Sequence, residues 1–93
     1  MIIGVLTFEI FIPTSESLKE KRFVLKSLKD RLKNKFNASV AEIEFQDKWQ
    51  RAAIGVAVIG NEQSHVEQSL QQIFKFIDNS EFYEVTSYQF EYL

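Results

Sequence analysis

Residues 2–12 alternate between two kinds of side chain, and this period of two constrains the fold more than any other feature of the chain. The even positions, from Ile2 to Ile12, are apolar almost throughout, whereas the odd positions include Thr7 and Glu9. Successive side chains of a β-strand point to opposite faces of a sheet. We therefore predict a central strand with one face better buried than the other.

A helix is predicted next, with Thr14, Ser15 and Ser17 as candidate N-caps, and it runs to about Asn34. Ser17 and Glu20 have the spacing of a capping box, and Pro13 ends the preceding strand. Apolar residues then recur on one helical face, as expected for a helix that packs on a sheet. This face consists of Leu18, Leu25, Leu28, Leu32 and Phe36.

Alternation returns at residues 38–45, 49–60 and 82–93, which we predict to be strands. The first has one polar face, typical of an edge strand, whereas both faces of the second are apolar or small, typical of a central strand. A second helix, capped by Asn61 or Ser64, lies between the last two strands. Its apolar face consists of Val66, Leu70, Ile73 and Ile77.

The predicted order βαββαβ is typical of an α+β ferredoxin-like sandwich, with a four-stranded antiparallel sheet and two helices on one face. In this topology the first and third strands are central. With 93 residues and no linker, we expect a single ferredoxin-like domain over residues 1–93. Because the chain lacks cysteine, a signal-peptide pattern and a long apolar run, we expect a cytoplasmic protein without membrane contact.

No pattern in the sequence supports catalysis, a metal site or a bound cofactor. Glycine-rich phosphate-binding motifs are absent, and His65 is the only histidine in a chain without cysteine. Glu42 and Glu44 could hold a cation or act as an acid–base pair, but we interpret them as charges that protect a free strand edge. We therefore expect a non-enzymatic function, with no catalytic, cofactor-binding or metal-binding residues.

Positive charge is concentrated in the first predicted helix. Residues 16–35 contain 8 of the 11 lysines and arginines together with 3 acids, which gives +5. The other residues carry 3 basic and 10 acidic side chains, which gives −7, so the two parts sum to the formal net charge of −2. The asymmetry is larger than solubility requires and favours phosphate contacts, although a run of charge is more often a solvated face.

The candidate nucleic-acid surface extends from this helix to the third strand. Lys19, Lys26 and Lys33 form a stripe at a spacing of seven residues, and Phe23 lies on the same side, where it could stack on a base or fill a partner's pocket. Lys21 instead falls within the apolar arc, where we expect it to extend toward solvent or to pair with a carboxylate at the helix start. The candidate residues are Lys19, Arg22, Phe23, Lys26, Lys29, Lys33, Trp49 and Arg51.

The open face of the sheet is predicted to be apolar, with small residues on the third strand. RNA-recognition motifs share this topology but carry aromatic residues on the open face of their central strands, and the third strand here has none. Small residues allow another surface to approach closely, so self-association through this face is a reasonable hypothesis. The residues concerned are Ile3, Val5, Phe11, Ala53, Gly55 and Ala57.

Three segments carry a family resemblance. They are SLKEKRFVLKSLK at residues 17–29, FNASVAE at 36–42 and DKWQRA at 47–52. Together they resemble the bacterial YlxP-like family, a group of short proteins of unknown function, over nearly the whole chain. The matching motif positions are Leu18 to Arg22, Asn37, Glu42, Asp47 and Trp49 to Arg51.

The resemblance implies a ferredoxin-like fold and supplies no catalytic residues. Genes of this family often lie near those for ribosome-binding factor A and translation initiation factors, which implies a role with RNA or in ribosome assembly. Because both motifs are polar beyond structural need, we expect the basic helix and the Asp47–Arg51 hairpin to form one surface. The sequence thus predicts a non-enzymatic RNA- or ribosome-associated binding protein. The alternative is a homodimeric protein-interaction module with no nucleic-acid role.

Overall fold

Four strands and two helices alternate along the chain, and the computed structural model describes all residues from Met1 to Leu93. The strands form one antiparallel sheet in the order β2-β3-β1-β4, so the first and third strands are central, as predicted. Both helices cover the same face, and the fold is α+β and ferredoxin-like. The elements are β1 (Ile2–Phe11), α1 (Leu18–Lys35), β2 (Ser39–Glu44), β3 (Arg51–Gly60), α2 (Gln63–Ile77) and β4 (Glu84–Tyr92).

The core lies between the helices and the even-numbered residues of β1 and β3. These strands pair over their whole length, from Ile2 opposite Gly60 to Phe11 opposite Arg51. Burial of each large apolar side chain contributes about 1.5–3 kcal/mol, so the predicted alternation fixes which sheet face the helices cover. The core residues are Leu6, Phe8, Ile10, Ile12, Leu25, Leu28, Leu32, Ala52, Ile54, Val56, Val58, Leu70, Ile73, Ile77 and Tyr83.

Helix α1 is capped by Ser17, one of the three candidate N-caps. The Ser17 hydroxyl accepts a hydrogen bond of 3.1 Å from the Glu20 amide, as in a capping box. The Glu20 carboxylate reaches back one residue further than expected, because it accepts from the Glu16 amide. The helix ends at Lys35, where Phe36 forms an extended C-cap with φ −129°.

Helix α2 begins differently from the prediction, because neither Asn61 nor Ser64 is its N-cap. Glu62 occupies that position and makes no side-chain capping hydrogen bond. Packing sets the start of this helix, since Val66 lies directly over the glycine backbones of β1 and β3. Neither helix of this fold combines the length and the apolar character needed to cross a membrane.

The strands flanking the hairpin are shorter than predicted, because the chain leaves the sheet at Phe45. The register of β2 against β3 shifts between Glu42 and Glu44, and Phe45 has a φ of 65°. The Lys48 amide donates a hydrogen bond of 3.0 Å to the Phe45 carbonyl, which closes a turn. The residues from Phe45 to Gln50 therefore form a loop rather than the ends of two strands.

The close approach of α2 to β1 predicts that Gly4→Ala destabilises the protein. An added Cβ would meet Val66 and would lie 2.8 Å from Leu70 Cδ1, so the helix would have to move. We expect a loss of about 1–3 kcal/mol in the free energy of unfolding, measured by urea denaturation. Gly55→Ala is the control, since its Cβ would lie 3.4 Å from Ile43. Equal stability of the two variants would contradict this account of α2.

Candidate functional site

Lys21 is the only charged residue in the buried face of α1, and it is 1% exposed. Its Nζ donates a hydrogen bond of 2.6 Å to the carbonyl oxygen of Phe45 and lies 2.8 Å from Oε2 of Glu42. This carboxylate oxygen makes no hydrogen bond, so its contact with the ammonium is electrostatic. The lysine therefore joins α1 to the end of β2 and to the hairpin loop.

Two expectations about this pair are wrong. Lys21 does not pair at the helix start but reaches across to β2. Glu42 does not protect a solvated strand edge, because it turns toward the helices on the same face as Val40, which packs against the core. A buried ammonium needs a counter-charge, and this requirement outweighs edge protection at Glu42. Glu44, beyond the register shift, is exposed.

The side of α1 that turns away from α2 carries five cations, which we term the basic flank. Four of them are exposed and Lys29 is half-buried. By helical periodicity they form one strip, which extends over about 21 Å at 1.5 Å per residue. The basic flank consists of Lys19, Arg22, Lys26, Lys29 and Lys33.

The cations of the basic flank are mostly without acidic partners. Only Lys26 forms an ion pair, at 2.8 Å from Asp30 one turn along the helix. The hydrogen bond from Lys26 holds the pKa of Asp30 below its ordinary value, and the same bond raises the pKa of Lys26. The other four make no ion pair within the protein, so their charge is directed at solvent or at a partner.

The opposite side of α1 faces α2 and contains cations in a different setting. The Arg31 guanidinium lies 5.0 Å from the ring centre of Phe76 in α2, and the Lys35 ammonium lies 4.9 Å from it. These cation–π contacts attach α1 to α2 beside the core. They also identify which flank of α1 is covered and which is open.

A groove lies beside α1, between its α2-facing side and the loop before β4, and we term it the α1–β4 groove. It has a volume of about 370 Å³. Its floor is the core, and its two rims carry aromatic rings at Phe23 and Phe82, which are 78% and 65% exposed. The lining residues are Ile12, Thr14, Ser15, Glu20, Phe23, Val24, Ser27, Leu28, Arg31, Ser80, Phe82 and Tyr83.

The alternation of residues 82–93 predicts Phe82 as part of the last strand, so the sequence does not indicate the rim formed by residues 80–83. In the structure Phe82 precedes that strand, and its amide donates a hydrogen bond of 3.1 Å to the Ser80 hydroxyl. Next to it Tyr83 is buried, and its hydroxyl donates a 2.7 Å hydrogen bond to the Ile77 carbonyl. Burial raises the pKa of the Tyr83 phenol. A large apolar residue just after the turn signal Asn79-Ser80 was the available clue.

The predicted surface of the basic helix and the hairpin forms only in part. The hairpin loop contacts the start of α1, but Arg51 does not lie on the helix side of the sheet. The side-chain Nε2 of Gln50 donates hydrogen bonds to the carbonyls of Pro13 and Ser15, at 3.0 and 3.2 Å, so the loop lies against the start of α1. Arg51, however, points to the open face of the sheet. There it lies 3.3 Å from Glu9, and its guanidinium is 3.9 Å from the Phe45 ring centre.

The expected single surface is therefore divided by the sheet. Trp49 is 56% exposed and lines a shallow depression with Phe11 and Arg51 on the open-face side. The basic flank lies above the other face of the sheet. A partner that touches both would have to pass around the hairpin loop.

The open face of the sheet is apolar along β2 and β3 but polar along β4, where Gln89 and Glu91 lie beside Thr7 and Val5 of β1, and its apolar residues differ in accessibility. Ile3, Val5, Phe11, Gly55 and Ala57 are half-buried, and Ala53 is 3% exposed, so it is already covered within the protein. Two residues that were not in the predicted set, Ile43 and Ile59, are 46% and 63% exposed on this face. They follow from the same alternation, which places odd-numbered residues of β2 and β3 opposite the helices.

Comparison with known proteins finds a matching family and a relative that aligns over most of both chains. Residues 3–90 match the family model described as "Protein of unknown function (DUF503)". The chain belongs to this family. The "Uncharacterized protein YlxP" of Bacillus subtilis (strain 168) is 44% identical over 78 residues, which cover 84% of this chain and 85% of the relative. The resemblance to YlxP-like proteins is thus confirmed.

The motif positions of this DUF503 chain fall into two groups in the structure. Lys21, Glu42 and Gln50 make contacts inside the protein, which explains their residue types by packing and charge. Lys19 and Arg22 are exposed and make no ion pair. The charges of this second group therefore face solvent.

The buried ion pair predicts a strong dependence of stability on Glu42. Glu42→Ala leaves the Lys21 ammonium buried without its counter-charge, and we expect a loss of about 3 kcal/mol in the free energy of unfolding. Glu44→Ala in the same strand is the control, with an expected change within about 0.5 kcal/mol because Glu44 is exposed. Urea denaturation followed by circular dichroism measures both.

A double variant that replaces both Lys21 and Glu42 tests the same ion pair. Lys21→Met with Glu42→Leu removes the two charges together, and apolar replacements of buried pairs are often neutral or stabilising. We expect this double variant to be more stable than Glu42→Ala alone. If it is less stable, the contribution of Lys21 comes from its hydrogen bond to Phe45 rather than from the ion pair.

Proposed function

We propose that this chain is a cytoplasmic RNA-binding protein that contacts phosphates through the basic flank of α1. One observation carries the proposal: four of the five cations of the basic flank have no acidic partner, although the rest of the chain has an excess of acids. Lysines and arginines that are not paired within a protein are available to displace counterions from a nucleic acid. Ribosomal components are the partners implied by the family resemblance.

Phe23 extends the proposed contact from phosphates to bases. Its ring is 78% exposed and stands at the edge of the basic flank. Stacking of a base on an aromatic side chain contributes about 1–3 kcal/mol in single-strand complexes. Single-stranded or looped RNA is therefore the favoured ligand, because its bases are free to stack. The absence of aromatic residues from the open face of β3 supports a helix-based contact.

The proposal predicts that Arg22→Glu with Lys33→Glu weakens RNA binding by at least about tenfold, which corresponds to about 1.4 kcal/mol. Both residues are exposed and unpaired, so the change should leave folding intact. Fluorescence anisotropy with a labelled single-stranded RNA of about 20 nucleotides, longer than one typical binding site, measures the affinity. The dependence of affinity on salt should also become shallower.

The matched control is Lys48→Glu with Lys75→Glu, because this pair changes the net charge equally but lies outside the basic flank. Its affinity should stay closer to that of the unmodified protein. If the two double variants lose affinity equally, the binding depends on overall charge and the basic flank is not a site.

A second candidate function is a homodimer that pairs the open faces of two sheets. The exposed Ile43 and Ile59 favour it, since they extend the apolar surface formed by β1 and β3. A face of this kind is typical of a protein–protein contact when it is contiguous. In a two-fold dimer the same patch would be used by both copies.

This alternative predicts a dimer whose formation depends on Ala57. Ala57→Arg introduces a long charged side chain at the centre of the open face, opposite Val5. We expect sedimentation equilibrium to show a monomer for this variant at concentrations at which the unmodified chain is dimeric. An unmodified chain that stays monomeric at high concentration would exclude the open-face dimer.

A further inference from the structure

A depression lies where the C-terminal parts of α1 and α2 meet, on the side of α1 that faces away from the basic flank, and we term it the interhelical depression. Its volume of about 410 Å³ is within the range of about 300–1,000 Å³ that is typical of small-molecule sites. Three of its seven lining residues are cations and none is an acid. The cations are Arg31 and Lys35 of α1 and Lys75 of α2, and all three are exposed.

Two of these cations lie close together and repel one another. The guanidinium carbon of Arg31 is 5.0 Å from the ring centre of Phe76, and Nζ of Lys35 is 4.9 Å from the same point. The two charges are therefore at most about 10 Å apart, which is about one Debye length at 0.1 M salt. They also lie one helical turn apart, a spacing at which like charges destabilise a helix. Neither makes an ion pair within the protein.

The negative groups around the interhelical depression do not neutralise its lining. The C-terminus of a helix carries about half a negative charge, so the ends of α1 and α2 together offset about one of the three cations. Asp30 is paired with Lys26. Asp78 and Glu81 are exposed, do not line the depression and make no ion pair with its cations. The lining therefore keeps a positive excess of about two charges.

We propose that the interhelical depression binds the phosphate groups of a ligand that carries at least two negative charges. A carboxylate supplies one charge, whereas a phosphate monoester carries about 1.5–2 negative charges at pH 7 and three strong acceptor oxygens. Arg31 would bind two of these oxygens through its forked N–H groups, and Lys35 and Lys75 would act as point charges. A free phosphorylated compound and the RNA backbone both offer this chemistry, and a competition experiment distinguishes them.

Neutral donors and aromatic rings complete the lining of the interhelical depression. Gln72 lies one turn before Lys75, and Asn79 follows the end of α2. Both side chains are exposed, and their amide N–H groups can donate to phosphate oxygens. The rings of Phe36 and Phe76, with centres 5.8 Å apart, form the apolar part of the lining. An anion in this position would meet cations from both helices and amide donors from one.

A titration with inorganic tripolyphosphate tests the proposal on the full-length protein. We expect saturable changes of the amide chemical shifts at residues 31–36 and 72–79 in the nuclear magnetic resonance spectrum. Sodium sulfate at the same ionic strength is the comparison, because it offers only one small anionic group, and it should bind at least about tenfold more weakly. The titration contains no RNA, so its result is independent of the proposed RNA contact on the basic flank.

Variants of the three cations test the site directly. Arg31→Gln with Lys35→Gln should weaken tripolyphosphate binding by at least about tenfold. Because both side chains also contact the Phe76 ring, urea denaturation checks that this double variant is folded. Lys75→Gln changes one exposed side chain and should weaken binding by about threefold. Lys48→Gln is its matched control, since it removes one exposed charge from the hairpin loop and should leave the affinity unchanged.

Competition with a single-stranded RNA of about 20 nucleotides identifies the source of the phosphate groups. If the RNA displaces tripolyphosphate and Lys75→Gln weakens the binding of both, the RNA backbone is the source. If RNA and tripolyphosphate bind together, the source is a free phosphorylated compound.

Four results would each overturn the proposal. These are the lack of any saturable shift change with tripolyphosphate, changes confined to the basic flank, sulfate binding as tight as that of tripolyphosphate, and equal losses of affinity in Lys75→Gln and Lys48→Gln.

Discussion

The burial of one ammonium group determines how α1 presents every other side chain. A helix can rotate about its axis over a sheet unless something fixes it, and leucine contacts alone tolerate some rotation. Lys21 restricts this rotation, because its ammonium lies against Glu42 and donates a hydrogen bond to the Phe45 carbonyl, and the contacts of Arg31 and Lys35 with Phe76 restrict it further. With that rotation set, the basic flank faces away from α2, and the side bearing Arg31 faces the groove.

The same contact explains the conformation of the hairpin. Phe45 has a positive φ, which costs a side-chain-bearing residue about 1–3 kcal/mol unless its surroundings hold it there. Its carbonyl is bound by Lys21 and by the Lys48 amide, and its ring is covered by Arg51. Strand β2 thus ends just before Phe45, whose carbonyl accepts the hydrogen bond from the Lys21 ammonium.

The fold followed from the sequence because it rests on local periods, whereas parts of the candidate site did not. Alternation in β1 and β3 and the leucine arc of α1 report burial directly, so element order and central strands were predicted correctly. The partner of Lys21 lies in another element 21 residues later, and spacing within a helix carries no information about it. The start of α2 also depends on a distant contact, that of Val66 with glycine backbone.

The candidate surfaces also include one part that the sequence predicts and another that depends on distant contacts. The basic flank was visible in the sequence, since helical spacing alone gathers its cations. Residues 80–83 were missed as a groove rim because their position depends on how the loop folds back over the core, through the Tyr83 hydroxyl. Arg51 was grouped with the basic helix on the family resemblance, although the alternation of the third strand places it on the open face with Ala53 and Gly55, where it pairs with Glu9.

Phe23 stands on the boundary between the basic flank and the groove, and this position links the two surfaces thermodynamically. Its ring forms one rim of the groove and also lines a shallow depression with Lys26 of the basic flank. Two ligands that each require that ring exclude one another, and the binding of one lowers the affinity for the other by the same factor in both directions. A single exposed phenylalanine would then make α1 a selector between two partners rather than a scaffold that holds both.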